Sequence, residues 1–221
     1  MRFRSNRGTL CALSAAAIAA GASAGSMTVT IGDGYGSGPG GEFNLTPANF
    51  PFAPASYNGG NYFESFCLEY NEHISYGQTY HVDVATEARN GGAGGGNPDP
   101  LDPLTAYLYS EFVKGSLADY YYDVSEGTGD RAASANALQD VIWYIEQERP
   151  ISWTPGDNSL RDRLYSLAIT NAPDDLGDVR VLNLYRDAGR TEFAQDQLVR
   201  IPEPATLGAM MLGGLLLLRR R

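Results

Sequence analysis

The stretch TYHVDVAT, from Thr79 to Thr86, alternates apolar and polar side chains, so its tyrosine and valines fall on one face. Alternation of period two, rich in β-branched and aromatic residues, predicts a half-buried strand. The segment YFESFCLEY, from Tyr62 to Tyr70, is also aromatic and alternating. We expect two neighbouring strands joined by a polar turn over residues 71–78, with Cys67 in the middle of the first strand.

Upstream of these strands, Met27 to Ile31 alternates and predicts a first strand, whereas residues 33–60 are rich in Gly, Pro, Asn and Ser and predict a loop. Downstream, GGAGGGNPDPLDP over residues 91–103 predicts a flexible break. Asp99 and Asp102 lie in this break without the spacing of a known calcium loop. We therefore predict no metal site and no cofactor.

Apolar residues at helical spacing predict helices after this break. The first begins at Leu104 and stops at Gly115, the second runs from about Ala132 to Glu148, and a shorter third helix is expected over residues 161–169. Residues 179–185 and 193–199 again predict strands. The order of strands, helices and strands predicts an α+β fold, an antiparallel β-sheet or barrel with an inserted helical subdomain.

The N-terminal end has the composition of a signal peptide. Three arginines precede an apolar run from Leu10 to Ala20, which closes on the small residues Ala22-Ser23-Ala24. This pattern predicts a signal peptide over residues 1–24 that directs secretion and is removed by signal peptidase together with Cys11. The part left after cleavage would begin with residues 25–60, an N-terminal strand and a Gly/Pro-rich loop.

The C-terminal end, residues 201–221, combines Pro202-Glu203-Pro204, an apolar segment and three terminal arginines. The apolar segment is shorter than the roughly 20 residues of an ordinary membrane span, so one alternative is a short transmembrane anchor. The three parts in this order closely resemble the PEP-CTERM sorting signal. That resemblance implies an exosortase substrate in a bacterium with an outer membrane. It also implies transient insertion of the tail as a transmembrane helix before processing, and a final place at the cell surface or in the extracellular matrix.

The chain is acidic, with a formal net charge of -10. Such a charge disfavours nucleic acid and anionic lipid as partners, because both repel an acidic surface. We therefore expect no nucleic-acid partner for the part of the chain between the two signals.

Cys67 would be the one cysteine of the mature chain, which leaves it without an internal disulfide partner. A lone cysteine of this kind is either buried and inert, paired with another chain, or chemically active. About seventy residues further on, Gln139 and Trp143 lie one turn apart at the edge of the apolar stripe of the second predicted helix.

The segment FCLEY around Cys67, followed by ALQDVIWYIE around Gln139, resembles the bacterial thioester domain. In that family a cysteine near the start of the domain and a glutamine ahead of an Ile-Trp pair form an internal thioester bond. The resemblance spans residues 61–200, which we interpret as a thioester-like domain, and it implies a crosslink between Cys67 and Gln139.

Such a bond needs close positioning and protection from water. A glutamine amide is a poor electrophile, so the fold must hold sulfur against the carbonyl carbon. Phe66, Trp143 and Tyr144 are candidates for the screen that excludes water, although each also suits a hydrophobic core. His73 and His81 are the only histidines, and each is a candidate for proton transfer, although either also suits the surface.

Three functions are consistent with these features. The first is an adhesive surface protein, not an enzyme, whose thioester captures an amine-bearing surface or matrix partner covalently. The second is a structural protein of the extracellular matrix in which Cys67 is inert. The third is a cysteine hydrolase using Cys67 with His73 or His81, but no hydrolase signature accompanies these residues.

Overall fold

A computed structural model describes five stretches of the chain, residues 26–36, 40–89, 92–123, 130–150 and 153–202. The predicted signal peptide lies outside these residues. Of the predicted sorting motif only Pro202 is described, while Glu203, Pro204 and the apolar segment lie outside. Within the described stretches, no helix is long and apolar enough to cross a membrane.

The architecture is built on one curled antiparallel sheet that forms a half-barrel. The strands are β1 (Thr28–Gly32), β2 (Phe43–Ala48), β3 (Phe63–Ser65), β4 (Thr79–Ala85), β5 (Glu87–Ala88), β6 (Asp99–Pro100), β7 (Val179–Tyr185) and β8 (Phe193–Arg200). Six of them form the sheet in the order β3-β2-β1-β4-β7-β8, while β5 pairs with β6. The predicted antiparallel sheet is therefore confirmed.

Three helices lie between β6 and β7 in the chain, as the predicted insertion requires: α1 (Pro103–Lys114), α2 (Asp130–Ile145) and α3 (Leu160–Asn171). The Asp102 side chain caps α1 by accepting from the Leu104 N–H, and Gly115 ends it with a left-handed φ of 73°. Together with the sheet, these helices make an α+β fold.

Part of the predicted strand pattern is wrong. The segment predicted to be loop contains β2, which includes Pro47. The strand β3 pairs only with Phe43–Leu45, so Pro47 lies where that side of β2 has no partner. The strands β3 and β4 are not neighbours, since β2 and β1 lie between them.

Cys67 does not lie in the middle of a strand. The strand β3 ends at Ser65, and Cys67 forms an isolated antiparallel bridge with Gln197 of β8. Residues 63–69 are all buried, so the alternating aromatics of this segment do not mark a strand with one face in water. The segment instead crosses from the edge of β2 towards β8.

The buried side chains form two hydrophobic clusters. The first joins the three helices to β7 and β8, with Val179, Val181 and Leu198 as the contribution of the sheet. The second is formed largely by side chains of β1, β2, β4 and β7, and it contains both Cys67 and Trp143. Helix α2 contributes to both clusters, so it reaches the segment that carries Cys67.

Candidate functional site

Cys67 and Gln139 lie in direct contact. The Cys67 Sγ is 3.3 Å from Oε1 of Gln139, and the residues are 0% and 1% exposed. Because a carbonyl bond is about 1.23 Å long, the sulfur lies no more than about 4.5 Å from the carbonyl carbon. The thiol and its candidate electrophile are thus held together in a site closed to bulk water.

The backbone on both sides of Cys67 is fixed to β8. The N–H of Leu68 donates to the Asp196 carbonyl across 3.1 Å, and the N–H of Leu198 donates to the Phe66 carbonyl across 3.0 Å. Gln139 projects from the middle of α2, whose neighbouring residues Leu138 and Ile142 are fully buried. Rigid elements therefore set the distance between thiol and amide.

The amide of Gln139 pairs with the backbone of Cys67 at both of its ends. Its Nε2 donates to the Cys67 carbonyl across 2.8 Å, and its Oε1 accepts from the Cys67 N–H across 3.2 Å. These two bonds distinguish oxygen from nitrogen in the amide and fix its plane. The carbonyl oxygen is thereby held on the side of the thiol.

A second backbone donor also reaches Oε1 of Gln139. The N–H of Gly41 donates to it across 3.3 Å from the loop before β2. Gly41 has a φ of +133°, which a residue with a side chain rarely adopts. The N–H groups of Gly41 and Cys67 form a pair of donors on one carbonyl oxygen, the arrangement that stabilises an oxyanion.

The loop before β2 approaches α2 closely at Gly40. A Cβ atom on Gly40 would lie 2.7 Å from Cγ of Gln139 and 2.5 Å from the Trp143 ring. Such distances are not tolerated, so only glycine allows the loop to bring the Gly41 N–H against the amide. Sequence reasoning missed both glycines, because a backbone donor has no side-chain signature.

The thiol of Cys67 is neutral at physiological pH. Burial raises the pKa of Cys67 well above its ordinary value of 9.0, and the neighbouring Glu69 raises this pKa further when its carboxyl group is ionised. A polar contact with the Trp143 side chain lowers the pKa by less. The reactive thiolate that a cysteine hydrolase needs is therefore disfavoured here.

Of the three residues predicted to screen the site, Trp143 packs in the same cluster as Cys67. Tyr70 meets the Trp143 ring edge-on, with centroids 4.9 Å apart, and the Arg149 guanidinium lies 4.9 Å from the Tyr70 ring centroid. This tyrosine and this arginine were not predicted as part of the site.

Phe66 and Tyr144 belong to the other cluster. The ring of Phe66 packs against that of Phe112 with centroids 5.0 Å apart. The ring centroid of Tyr144 lies 5.2 Å from those of Trp153 and Tyr165. Their aromatic rings pack among the helices and not beside Trp143.

The two histidines lie apart from this hydrogen-bond network. His73 is exposed, and its carbonyl accepts from Arg186. His81 lies on the polar side of β4, with its Nδ1 3.1 Å from the Ser26 hydroxyl. Within the described residues, no hydrogen bond joins either histidine to Cys67 or Gln139.

A buried carboxyl group follows Cys67 two residues later. Burial raises the pKa of Glu69 well above its ordinary 4.5, and the nearby charge of Asp196 raises it further. Its Oε2 accepts from the Asp196 N–H across 2.7 Å, while its Oε1 has no hydrogen-bond partner in the described part of the chain. A protonated Glu69 satisfies this environment better than a carboxylate.

The side chains around the site do not suggest a metal centre. Over the stretches that the structure describes, no three His, Cys, Asp or Glu side chains are grouped so as to hold a metal ion. Asp102 is occupied in capping α1, and burial raises the pKa of Asp99 to about 6.

Comparison of the chain with protein-family models, with curated proteins and with solved structures finds no match. We therefore infer the function from the geometry around Cys67 and Gln139.

Proposed function

We propose that this chain is an exported surface or matrix protein in which Cys67 and Gln139 form an internal thioester. We propose further that this bond captures an amine-bearing partner covalently. One observation carries the proposal: the buried Cys67 thiol lies 3.3 Å from the carbonyl oxygen of Gln139, and two backbone N–H groups converge on that oxygen. Both N–H groups, those of Cys67 and Gly41, belong to the backbone.

Formation of the thioester needs no reactant beyond the two side chains. The sulfur of Cys67 attacks the carbonyl carbon of Gln139, and negative charge develops on Oε1 beneath the Gly41 and Cys67 N–H groups. The C–S bond forms, the C–N bond breaks, and the thiol proton leaves with the nitrogen as ammonia. Enforced contact of this kind can supply effective molarities on the order of 10⁵ to 10⁸ M.

Capture then reverses the exchange with a new amine. The amine attacks the acyl carbon of Gln139, the C–S bond breaks, and one amine proton passes to the sulfur of Cys67. The products are an amide between Gln139 and the partner, and a free thiol. Because Cys67 is fully buried, the acyl group is protected from hydrolysis until a partner reaches it.

The raised pKa of Cys67 also suits a second function, a structural matrix protein in which the thiol is inert. The full burial of Cys67 disfavours a disulfide with another chain in the folded protein. A cysteine hydrolase is the least favoured, since Cys67 has neither a histidine hydrogen-bonded to it nor a lowered pKa.

The location of the protein is proposed from its two ends. We infer export by signal peptidase processing, and retention at the surface or in the matrix through exosortase recognition of residues 201–221. Deletion of those residues should release the protein into the medium while export continues. Retention at the surface after this deletion would contradict the proposal for the tail.

Intact mass tests the thioester directly. Protein purified without added amines should weigh less than its sequence by one ammonia, and methylamine should add to Gln139, which leaves an N-methyl amide there and frees the Cys67 thiol. The variants Cys67→Ala and Gln139→Ala should each have the full mass calculated from their own sequence, because neither can form the bond. The control Gln78→Ala, at an exposed position, should still lose ammonia. If the protein has its full mass and Cys67 is alkylated on denaturation, the thioester is overturned. The structural matrix protein with an inert thiol would then be the favoured function.

A further inference from the structure

A cavity of about 200 Å³ lies against Gln139. Its walls come from the loop before β2, from α2 and the residues after it, and from the start of α3: Gly40, Asn136, Gln139, Asp140, Trp143, Arg149 and Arg161. Its volume is below the range of about 300–1,000 Å³ typical of drug-sized ligands, so it suits a short side chain or a small molecule. Gln139 is the residue of the proposed acyl group, so the cavity lies against the side chain that would carry this group.

Two guanidinium groups and one carboxylate set the charge of this cavity. Asp140 accepts from Nε of Arg161 across 2.6 Å and from Nη1 of Arg149 across 3.3 Å. A single carboxylate cannot neutralise both arginines, so the three side chains together carry one positive charge. The chain as a whole has a net charge of -10, which makes a positive cavity beside Gln139 an exception to the general surface.

The arginines remain accessible at the rim. The side chains of Arg149 and Arg161 are 31% and 36% exposed, whereas that of Asp140 is 14% exposed. A ligand entering from solvent therefore meets guanidinium groups before it meets the carboxylate. Guanidinium groups present planar donors that match carboxylate, sulfonate and phosphate oxygens.

We propose that this cavity selects, as the nucleophile for the Gln139 acyl group, a short primary amine that carries an anionic group within a few bonds. The inference rests on the proposed thioester. An anionic substituent is attracted to Arg149 and Arg161, while a second cationic group is repelled by them. Positive charge nearby also favours the neutral form of the amine, which is the form that attacks.

The reaction is the capture step with this nucleophile. The amine nitrogen bonds to the acyl carbon of Gln139, the C–S bond to Cys67 breaks, and one proton passes from the nitrogen to the sulfur. The anionic group does not react; it remains against the arginines and holds the nitrogen near the acyl carbon. Arg149 and Arg161 are thus specificity-determining residues and take no part in the proton transfer.

The test compares three amines of similar length on the full chain: taurine, ethylamine and ethylenediamine. Their rates of addition to Gln139, followed by intact mass and expressed per neutral amine, should rank with taurine first and ethylenediamine last. Because partly exposed charge pairs contribute modestly, we expect each step to be roughly twofold to fivefold. Raising the salt concentration should reduce the differences.

Arg161→Gln supplies the decisive variant. It should abolish most of the preference for taurine, measured as the ratio of the taurine rate to the ethylamine rate within the same variant. Arg163→Gln is the matched control, since Arg163 lies two residues away on α3 and pairs with Asp119 outside the cavity. Circular dichroism of both variants checks that they fold.

The outcomes separate the two proposals. A protein that loses ammonia and adds all three amines at equal rates, or an Arg161→Gln variant that keeps the taurine preference, overturns the selectivity while the thioester stands. A protein of full mass that adds no amine overturns the thioester, and the selectivity falls with it.

Discussion

The backbone N–H of Gly41 donates to Oε1 of Gln139 across 3.3 Å, joining two residues that lie 98 positions apart in the chain. The same oxygen accepts from the Cys67 N–H. Three distant segments therefore meet at one carbonyl group, and the loop before β2 is as much a part of the candidate site as α2. Disturbing that loop should impair the chemistry without removing either reacting side chain.

The first prediction concerns Gly40. The change Gly40→Ala places a methyl group 2.7 Å from Gln139 Cγ and 2.5 Å from the Trp143 ring, so the loop or the amide must shift. We expect the loss of ammonia, measured by intact mass after expression, to slow by on the order of 10²- to 10³-fold, as when one oxyanion donor is removed.

Gly189→Ala is the control for this change, because its new methyl group meets chiefly the end of the Asp187 side chain. It should lose ammonia at the wild-type rate. Complete and rapid loss of ammonia from Gly40→Ala would show that the Gly41 donor does not contribute.

The sequence predicts the helices and the C-terminal strands well because local signals decide them. The Asp102 cap and Gly115 bound α1, and β7 is a run of valine, leucine and tyrosine interrupted only by Arg180 and Asn183. The strand β2 was missed because its neighbours are loop-forming residues and it contains Pro47, which is tolerated only because β3 stops short of it. This last condition is a property of the sheet and not of the segment.

The residues of the candidate site also fall into two groups, those that the sequence can predict and those that it cannot. Cys67 and Gln139 have side chains whose chemistry can be recognised in the sequence, and the structure places them in contact. Gly41 acts through its backbone, and Tyr70 and Arg149 reach Trp143 through tertiary packing. No local pattern carries that information.

The second prediction concerns the screen around the site. Trp143→Leu opens the cluster that contains Cys67, whereas Tyr144→Leu removes a ring that contacts Trp153 and Tyr165. We expect the first change to speed hydrolysis of the thioester several-fold and the second to leave it nearly unchanged. The gain of one water in intact mass with time, which reports hydrolysis although Cys67 is buried in the native protein, distinguishes the two variants. Equal rates in both would rule out Trp143 as the screen.

The third prediction concerns the ion pair beside the loop. Arg131 and Glu42 are 5% and 2% exposed, and two nitrogens of Arg131 contact the two oxygens of Glu42 at 2.7 and 3.2 Å. Arg131→Met leaves the Glu42 carboxylate buried without its cation, which typically costs about 3–5 kcal/mol. Urea unfolding should show a loss of this size.

The double variant Arg131→Met with Glu42→Gln provides the matching control. Without the unpaired charge it should recover much of the lost stability. A double variant as unstable as Arg131→Met would indicate that packing of the arginine, which lies 4.2 Å from the Tyr35 ring centroid, dominates over its charge.

The fourth prediction concerns pH. Burial raises the pKa of Glu146 from 4.5 to about 8, so the folded protein keeps a proton that the unfolded chain releases in this interval. The free energy of unfolding should therefore fall as the pH rises from 4.5 to about 8, by up to about 1.4 kcal/mol per pH unit from this group.

Glu146→Gln removes this contribution. The stability of the variant should equal or exceed that of the wild type at pH 8 and depend less steeply on pH, whereas the exposed Glu192→Gln should follow the wild type. Urea unfolding across the interval supplies the comparison. Parallel curves for wild type and Glu146→Gln would show that the proton is not held at this residue.

The two-ended pairing of the Gln139 amide with the Cys67 backbone has a consequence for the products of the reaction. An amine that takes over the acyl group leaves a substituted amide, whose remaining N–H can again donate to the Cys67 carbonyl. Water leaves a carboxylate, which has no proton to donate and whose charge is buried against that same carbonyl oxygen. In the proposed reaction this pairing therefore disfavours the hydrolysed product, because its carboxylate is buried against the Cys67 carbonyl.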